Sequence, residues 1–104
     1  MTDEDDFTER VLAFVESVPE GRVVTYGLVA DLIGRGGPRQ VGRVMSIDGP
    51  SVPWWRCVRA NGTLPPHLMT DAQVHWREER TPVTRGHVDM SEALWNPRLE
   101  GRAD

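Results

Sequence analysis

The sequence predicts a mostly α fold, a small winged-helix-like helix-turn-helix carrying a short β wing. Three observations point there. Three segments before residue 49 read as helices. The second and third are short and joined by Gly34-Arg35-Gly36-Gly37, a glycine-rich turn. A bulky, β-branched segment at 52–59 then runs into Asn61-Gly62, a hairpin-turn signal.

Each element has its own local reason. Phe7, Val11, Phe14, Val15 and Val18 place one apolar stripe on a first helix, capped at Thr2 or Asp3 and ended by Pro19-Glu20-Gly21. Arg22-Val23-Val24 reads as a short extended entry. Thr25 is a good N-cap for a second helix from Tyr26 to about Ile33. Pro38 suits the first position of a third helix, whose apolar face is Val41, Val44 and Met45 and which Asp48-Gly49-Pro50 stops. The helix-turn-helix thus spans about 26–48. Ala30 and Gly34, four apart, suit a tight helix pair. Ordinary helical hairpins share that pattern. Residues 52–59 read as extended, with Pro53 at an edge or in a loop. Asn61-Gly62 turns the chain and Thr63-Leu64 return, which makes the wing. A last helix is expected over Asp71–Arg80 with Thr70 as its cap. Val83, Val88, Leu94 and Trp95 are expected to pack back on the core, and residues 98–104 to form a flexible tail.

At 104 residues the chain suits one domain, 1–104. A chain of this size buries about 65% of the surface its unfolded form exposes, enough for a small core. No apolar run approaches the roughly 20 residues of a membrane span. The first twenty residues are acidic, unlike a secretory or mitochondrial leader, so the cytoplasm is the expected location. A single cysteine, Cys57, excludes an internal disulfide and a cysteine-built zinc site. His67, His75 and His87 lack metal-ligand spacing. No metal or cofactor is expected, and all three histidines are assigned to the surface.

Charge is unevenly spread. The net charge is −4, and all twelve basic residues are arginine. Residues 22–59 hold six arginines against Asp31 and Asp48, a local +4, so the rest of the chain carries −8. A basic middle between acidic ends fits a phosphate-facing surface as well as a solvated mixed one.

Three motifs follow one another at compatible spacing: Val18-Pro19-Glu20-Gly21-Arg22-Val23-Val24-Thr25-Tyr26-Gly27, Pro38-Arg39-Gln40-Val41-Gly42-Arg43-Val44-Met45, and Pro53-Trp54-Trp55-Arg56. The first resembles the entry to the DNA-binding domain of O6-alkylguanine-DNA alkyltransferases, and the second their recognition helix. The third stands where that family has Pro-Cys-His-Arg. The resemblance runs from about Phe7 to Gly62, with Leu94-Trp95-Asn96-Pro97 a looser match. Nothing in the 104 residues resembles the separate N-terminal domain of the full-length enzymes. The short chain and the tryptophan at the nucleophile position resemble the alkyltransferase-like proteins. That resemblance implies binding of O6-alkylguanine in duplex DNA without repair, and recruitment of nucleotide-excision repair.

The residue chemistry agrees. Dealkylation needs a thiolate aimed at the alkyl carbon and a base to take the thiol proton. Trp54 has no nucleophile, and Trp55 replaces the family's histidine base, so no alkyl transfer is expected. Cys57 lies three residues on, which along an extended segment moves a side chain about 10 Å and reverses its face. Its place is in the core as an inert thiol or, with Met45 and Pro53, in the pocket lining. Trp54 offers a broad apolar face to an extruded base. Adjacent tryptophans in an extended segment face opposite sides, so one can be core while the other lines a pocket. The residues alone favour core for both, and the resemblance implies Trp54 in the pocket (loop 50–59) and Trp55 in packing.

The remaining roles come from the resemblance. Arg39 is the finger that enters the stack where the nucleotide leaves; the alternative is a surface arginine meeting phosphate or solvent. Tyr26 crowds the 3′ phosphate and turns the nucleotide outward; the alternative is a half-buried tyrosine anchoring two helices. Thr25, Gly42, Arg43 and Arg56 complete the expected DNA contacts. Gly42 allows close approach of DNA or of a neighbouring helix. Arg43, Arg35 and Arg22 are candidate phosphate partners, while Arg56 braces the loop or meets DNA. His67 stands where some alkyltransferase-like proteins carry a lesion-facing arginine, and Asp48 near the family's usual asparagine. The reading is a monomeric, non-enzymatic sensor whose partners are double-stranded DNA containing O6-alkylguanine and nucleotide-excision-repair proteins. The alternative is a sequence-specific helix-turn-helix transcription regulator, which predicts a dimer on paired half-sites.

Overall fold

The computed structural model describes residues 3–100. Thr2, one of the two expected caps, and 101–104 of the expected tail lie outside the described residues. Helix α1 is Asp3–Ser17, so Asp3 opens the helix instead of capping it. Asp3, Glu4, Asp5 and Asp6 crowd its first turn, where the helix dipole favours negative charge. Strand β1, Val24–Thr25, leads straight into α2, Tyr26–Ile33. The Thr25 hydroxyl accepts from the Leu28 N–H at 3.0 Å, the expected cap. Gly34 ends α2 at φ 84, in the left-handed region that favours glycine. Helix α3, Pro38–Asp48, begins on its proline as expected. The three helices close over Val11, Val15, Val18, Val29, Val41, Val44 and Met45.

Beyond α3 the structure departs from the expectation. Asp48-Gly49-Pro50 does not simply stop the chain, which tightens into a 3₁₀ turn over Gly49–Ser51. A second 3₁₀ turn, Trp54–Arg56, occupies the middle of the segment expected to be extended. Pro53 at φ −71 presets that turn, and the Arg56 N–H donates to the Pro53 carbonyl at 3.1 Å. Only then does β2, Cys57–Val58, form. It pairs in parallel with β1, Val24 opposite Cys57 and Thr25 opposite Val58. The Asn61-Gly62 turn is present, with the Gly62 N–H donating to the Arg59 carbonyl at 2.8 Å. Its arms are tied by a single further backbone bond, the Arg59 N–H donating to the Thr63 carbonyl at 2.9 Å, and no longer strand ladder follows among the described residues. Leu64 turns into the core instead of extending a wing. Gly62, at φ 81, lies so close to the Val88 carbonyl that a Cβ would fall 2.3 Å from its oxygen.

Helix α4, Pro66–Glu79, starts five residues before the expected Asp71. Thr70 lies inside it, so it caps nothing. Pro66 lacks an N–H that the first turn would leave unbonded anyway, so a Pro-Pro pair that reads as a breaker is a start. The antiparallel hairpin is β3, Val83–Thr84, with β4, His87–Val88. Its two-residue turn, Arg85-Gly86, has φ 55 and 85, the primed geometry hairpins prefer. Two short helices follow, α5 at Met90–Ala93 and α6 at Pro97–Glu100, so residues 98–100 are helical and not tail. Val23, Val58, Leu64, Ala72, Trp76, Val88 and Ala93 form a second apolar cluster. Trp95 packs on the first cluster, whereas Val83 and Leu94 are 43% and 39% exposed. No helix among the described residues is long and apolar enough to cross a membrane.

Candidate nucleic-acid interface

A half-open cavity of about 190 Å³ lies where α2, α3, both 3₁₀ turns and the start of α4 meet. An engineered cavity of about 150 Å³ accepts benzene, so this one has room for an aromatic ring. Its wall brings together Tyr26, Gly42, Met45 and Trp54, four residues picked out by sequence. Pro53 and Cys57 are not in it. His67, assigned to the surface, is exposed yet lines the cavity, beside Leu64, Pro65 and Leu68. Leu64, Pro65 and Leu68 are not expected in the wall from sequence, because α4 is expected to begin beyond them, whereas His67 is the position the resemblance singles out.

Trp54 is half-buried, one side packed on both core clusters. The 3₁₀ turn does not send Trp54 and Trp55 to opposite faces. Their rings meet edge-on, centroids 5.6 Å apart and 85° between planes. Tyr26 packs against both clusters, so it anchors the fold as well as lining the cavity. Burial pushes its phenol up to about 12, the nearby Cys57 thiol adding to the rise and Arg59 opposing it. Cys57 is wholly buried on β2, its thiol also pushed up to about 12 by burial. It belongs to the core, and the pocket-lining alternative is corrected. A neutral, sealed thiol is no nucleophile.

The arginines divide into spent and available. Arg56 takes the bracing role: its guanidinium grips Glu79 and donates to the Val18 carbonyl at 3.0 Å, with only 13% of the side chain exposed. Burial alone would raise the Glu79 carboxyl, but the hydrogen bond and charge of Arg56 outweigh it and hold it below the usual carboxylate range. Arg22 donates to the Ala93 and Leu94 carbonyls at 3.1 and 2.7 Å, holding the C-terminal segment. Arg35 meets Asp6 and the Asp3 carbonyl, fixing α1 to the inter-helix turn. Neither is placed as a phosphate partner. Arg39, Arg43 and Arg59 are exposed, and no hydrogen bond or ion pair holds their side chains among the described residues. Arg39 occupies the second position of α3.

Gly42 resolves one alternative. No atom stands within 4 Å of where its Cβ would be, so no neighbouring helix demands a glycine. Glycine inside a helix costs about 0.5–1 kcal/mol relative to alanine. Here that cost leaves backbone open at the cavity wall. Thr25 spends its oxygen on the α2 cap, which leaves the hydroxyl hydrogen free to donate outward.

Residues 6–81 match the family model of the DNA-binding domain of 6-O-methylguanine DNA methyltransferase. The chain belongs to that family. A relative from Escherichia coli (strain K12), a DNA base-flipping protein, is 37% identical over 102 residues, covering 92% of this chain and 79% of its own. Alkyltransferase-like protein 1 of Schizosaccharomyces pombe is 27% identical over 105 residues, covering 89% and 97%. The structure of that fission-yeast protein in complex with damaged DNA containing O6-carboxymethylguanine superposes with a TM-score of 0.79 at 28% identity, over 89% of this chain and 97% of that one. A single-residue variant of the O6-methylguanine methyltransferase of Mycobacterium tuberculosis matches with a TM-score of 0.63 at 29% identity, over 77% of this chain and 53% of that one. Position 54, on the cavity wall of this methyltransferase-domain family member, is a tryptophan.

Proposed function

We propose that the protein is a non-enzymatic DNA-damage sensor that binds O6-alkylguanine in duplex DNA by holding the flipped nucleotide against Trp54. The observation that carries this reading is the half-open cavity whose wall joins Tyr26, Gly42 and Trp54. The helix-turn-helix and the exposed Arg43 grip the duplex. Tyr26 crowds the backbone, and Arg39 enters the stack in place of the departing base. A planar guanidinium replaces lost stacking and bonds the orphaned partner. Flipping costs a few kcal/mol, and least for a base whose pairing is already damaged, which supplies selectivity without chemistry. Stacking on Trp54 returns roughly 1–3 kcal/mol. Met45 and Leu68 extend the apolar wall. The one thiol is sealed away from the cavity, which supports binding without alkyl transfer. The base-flipping name of the Escherichia coli relative and the damaged-DNA complex of the fission-yeast protein support the same reading. The bound, flipped lesion then marks the site for nucleotide-excision-repair proteins, with the sensor acting as a monomer in the cytoplasm.

The test is a titration of matched duplexes with and without one O6-methylguanine at fixed salt. The expected result is tighter binding of the damaged duplex and no methyl adduct on Cys57 by intact mass. Equal affinities would overturn lesion recognition, and a preference among undamaged sequences would replace the reading with that of a transcription regulator.

A further inference from the structure

The cavity's indole wall is held from behind by a residue outside the cavity. His75, on α4, is stacked on Trp55, with centroids 3.6 Å apart and planes within 5°. The same imidazole meets Trp54 nearly at a right angle, 5.8 Å and 83°. With the edge-on Trp54–Trp55 contact, the three rings close a triangle in which each touches the other two. Trp55 is itself pinned. Its carbonyl accepts from the Trp76 indole N–H at 2.8 Å, and the Arg56 guanidinium carbon stands 5.7 Å from its ring centre. Trp76 is fully buried and Arg56 is tied to Glu79, so the back of the triangle is fixed to α4. Trp54 is the one ring of the three that reaches the cavity.

We propose that His75 is a positioning residue for base capture: through Trp55 and Trp54 it fixes the attitude of the indole on which a flipped base stacks. This rests on the reading of Trp54 as the receiving wall. Stacking is steep in geometry, because dispersion falls off within an ångström of radial gap. Without the imidazole behind it, Trp54 gains rotational freedom that each captured base must then remove. A flat, aromatic side chain is what the position requires, not a histidine as such.

The experiment compares His75→Ala and His75→Phe with wild type. Affinities are measured for the O6-methylguanine duplex and for its undamaged match. Near-UV circular dichroism of the free proteins follows the edge-on tryptophan pair, and far-UV spectra confirm folding. His75→Ala is expected to weaken damaged-duplex binding about three- to tenfold, the scale of aromatic pair contributions, with undamaged-duplex binding unchanged and the tryptophan near-UV signal flattened. His75→Phe is expected to restore both. An unchanged damaged-duplex preference in His75→Ala, or a His75→Phe protein that folds but restores neither, overturns the proposal. If wild type itself shows no damaged-duplex preference, the functional reading fails. The near-UV comparison still decides whether His75 positions Trp54: a flattened signal that His75→Phe restores supports it, and an unchanged signal overturns it.

Discussion

Replacing Glu79 by alanine should cost a large share of the protein's stability, and the structure sets the size. The Arg56 side chain is 13% exposed and that of Glu79 8%, with Nε to Oε1 at 3.0 Å and a second hydrogen bond beside it. Removing one member of a buried pair leaves the other charge uncompensated, which costs about 3–5 kcal/mol. Arg56 keeps the Val18 carbonyl and has the exposed Glu20 carboxylate 4.0 Å away, so about 2–4 kcal/mol is expected. A domain near this size loses roughly 4–8 °C of Tm per kcal/mol, so thermal denaturation at pH 7 should show a fall of about 8–30 °C. Glu79→Gln keeps the shape and one acceptor and should fall between. The pH dependence has a fixed sign. A carboxyl held below its ordinary value stabilises the fold above the unfolded value of about 4.3, and that contribution fades as pH drops through the folded value. The gap between wild type and Glu79→Gln should therefore narrow on acidification from pH 7 to pH 3. A Glu79→Ala protein melting within about 3 °C of wild type at pH 7, or a gap indifferent to acid, would refute the brace.

Gly42→Ala should leave stability unchanged or raise it by up to about 1 kcal/mol, since nothing stands where the methyl group would go. The same variant should bind damaged duplex more weakly, which equilibrium titration reads; undiminished binding would mean that DNA never approaches this backbone. Arg39→Ala should narrow the gap between damaged and undamaged duplexes, because its side chain is exposed and holds nothing in the fold. A merely uniform loss, with a shallower salt slope, would make Arg39 a phosphate contact instead. Cys57 should resist thiol reagents in the native state and react at once on unfolding, as its buried, neutral thiol demands. A thiol raised by burial stabilises the neutral folded form fully below its unfolded value. Wild-type Tm should thus decline as pH climbs from about 8.5 toward 12, and less steeply in Cys57→Ala.

The helix-turn-helix was legible because its signals are local. Thr25, Gly34 and Pro38 each act on the turn they begin or end, and each does so in the structure. The pocket loop was less legible. Residues 52–59 are rich in strand formers, yet Arg56 reaches across to α4, and that long-range pair, with Pro53, winds Trp54–Arg56 into a turn. The error carried over to the tryptophans, which were assigned opposite faces and instead touch. The start of α4 was hidden by Pro65-Pro66, where a breaker and an N-terminal proline look alike until the neighbouring chain is placed. That concealed Pro65 and Leu68 as part of the cavity wall. The Arg85-Gly86 hairpin escaped because arginine gives no hint of a left-handed backbone. Arginine charge was visible in the sequence, but not its use. Only the folded contacts separate Arg22, Arg35 and Arg56, which hold the chain together, from Arg39 and Arg43, which face outward.

The central claim is that a guanine leaves the duplex and comes to rest on the indole of Trp54. A crystal structure of the protein with a duplex containing one O6-methylguanine tests it most directly. The account predicts the modified base outside the helix, in van der Waals contact with Trp54 between Tyr26 and Met45, with the Arg39 side chain filling the gap in the stack. A lesion still stacked within a continuous duplex, and the cavity facing solvent, would contradict it.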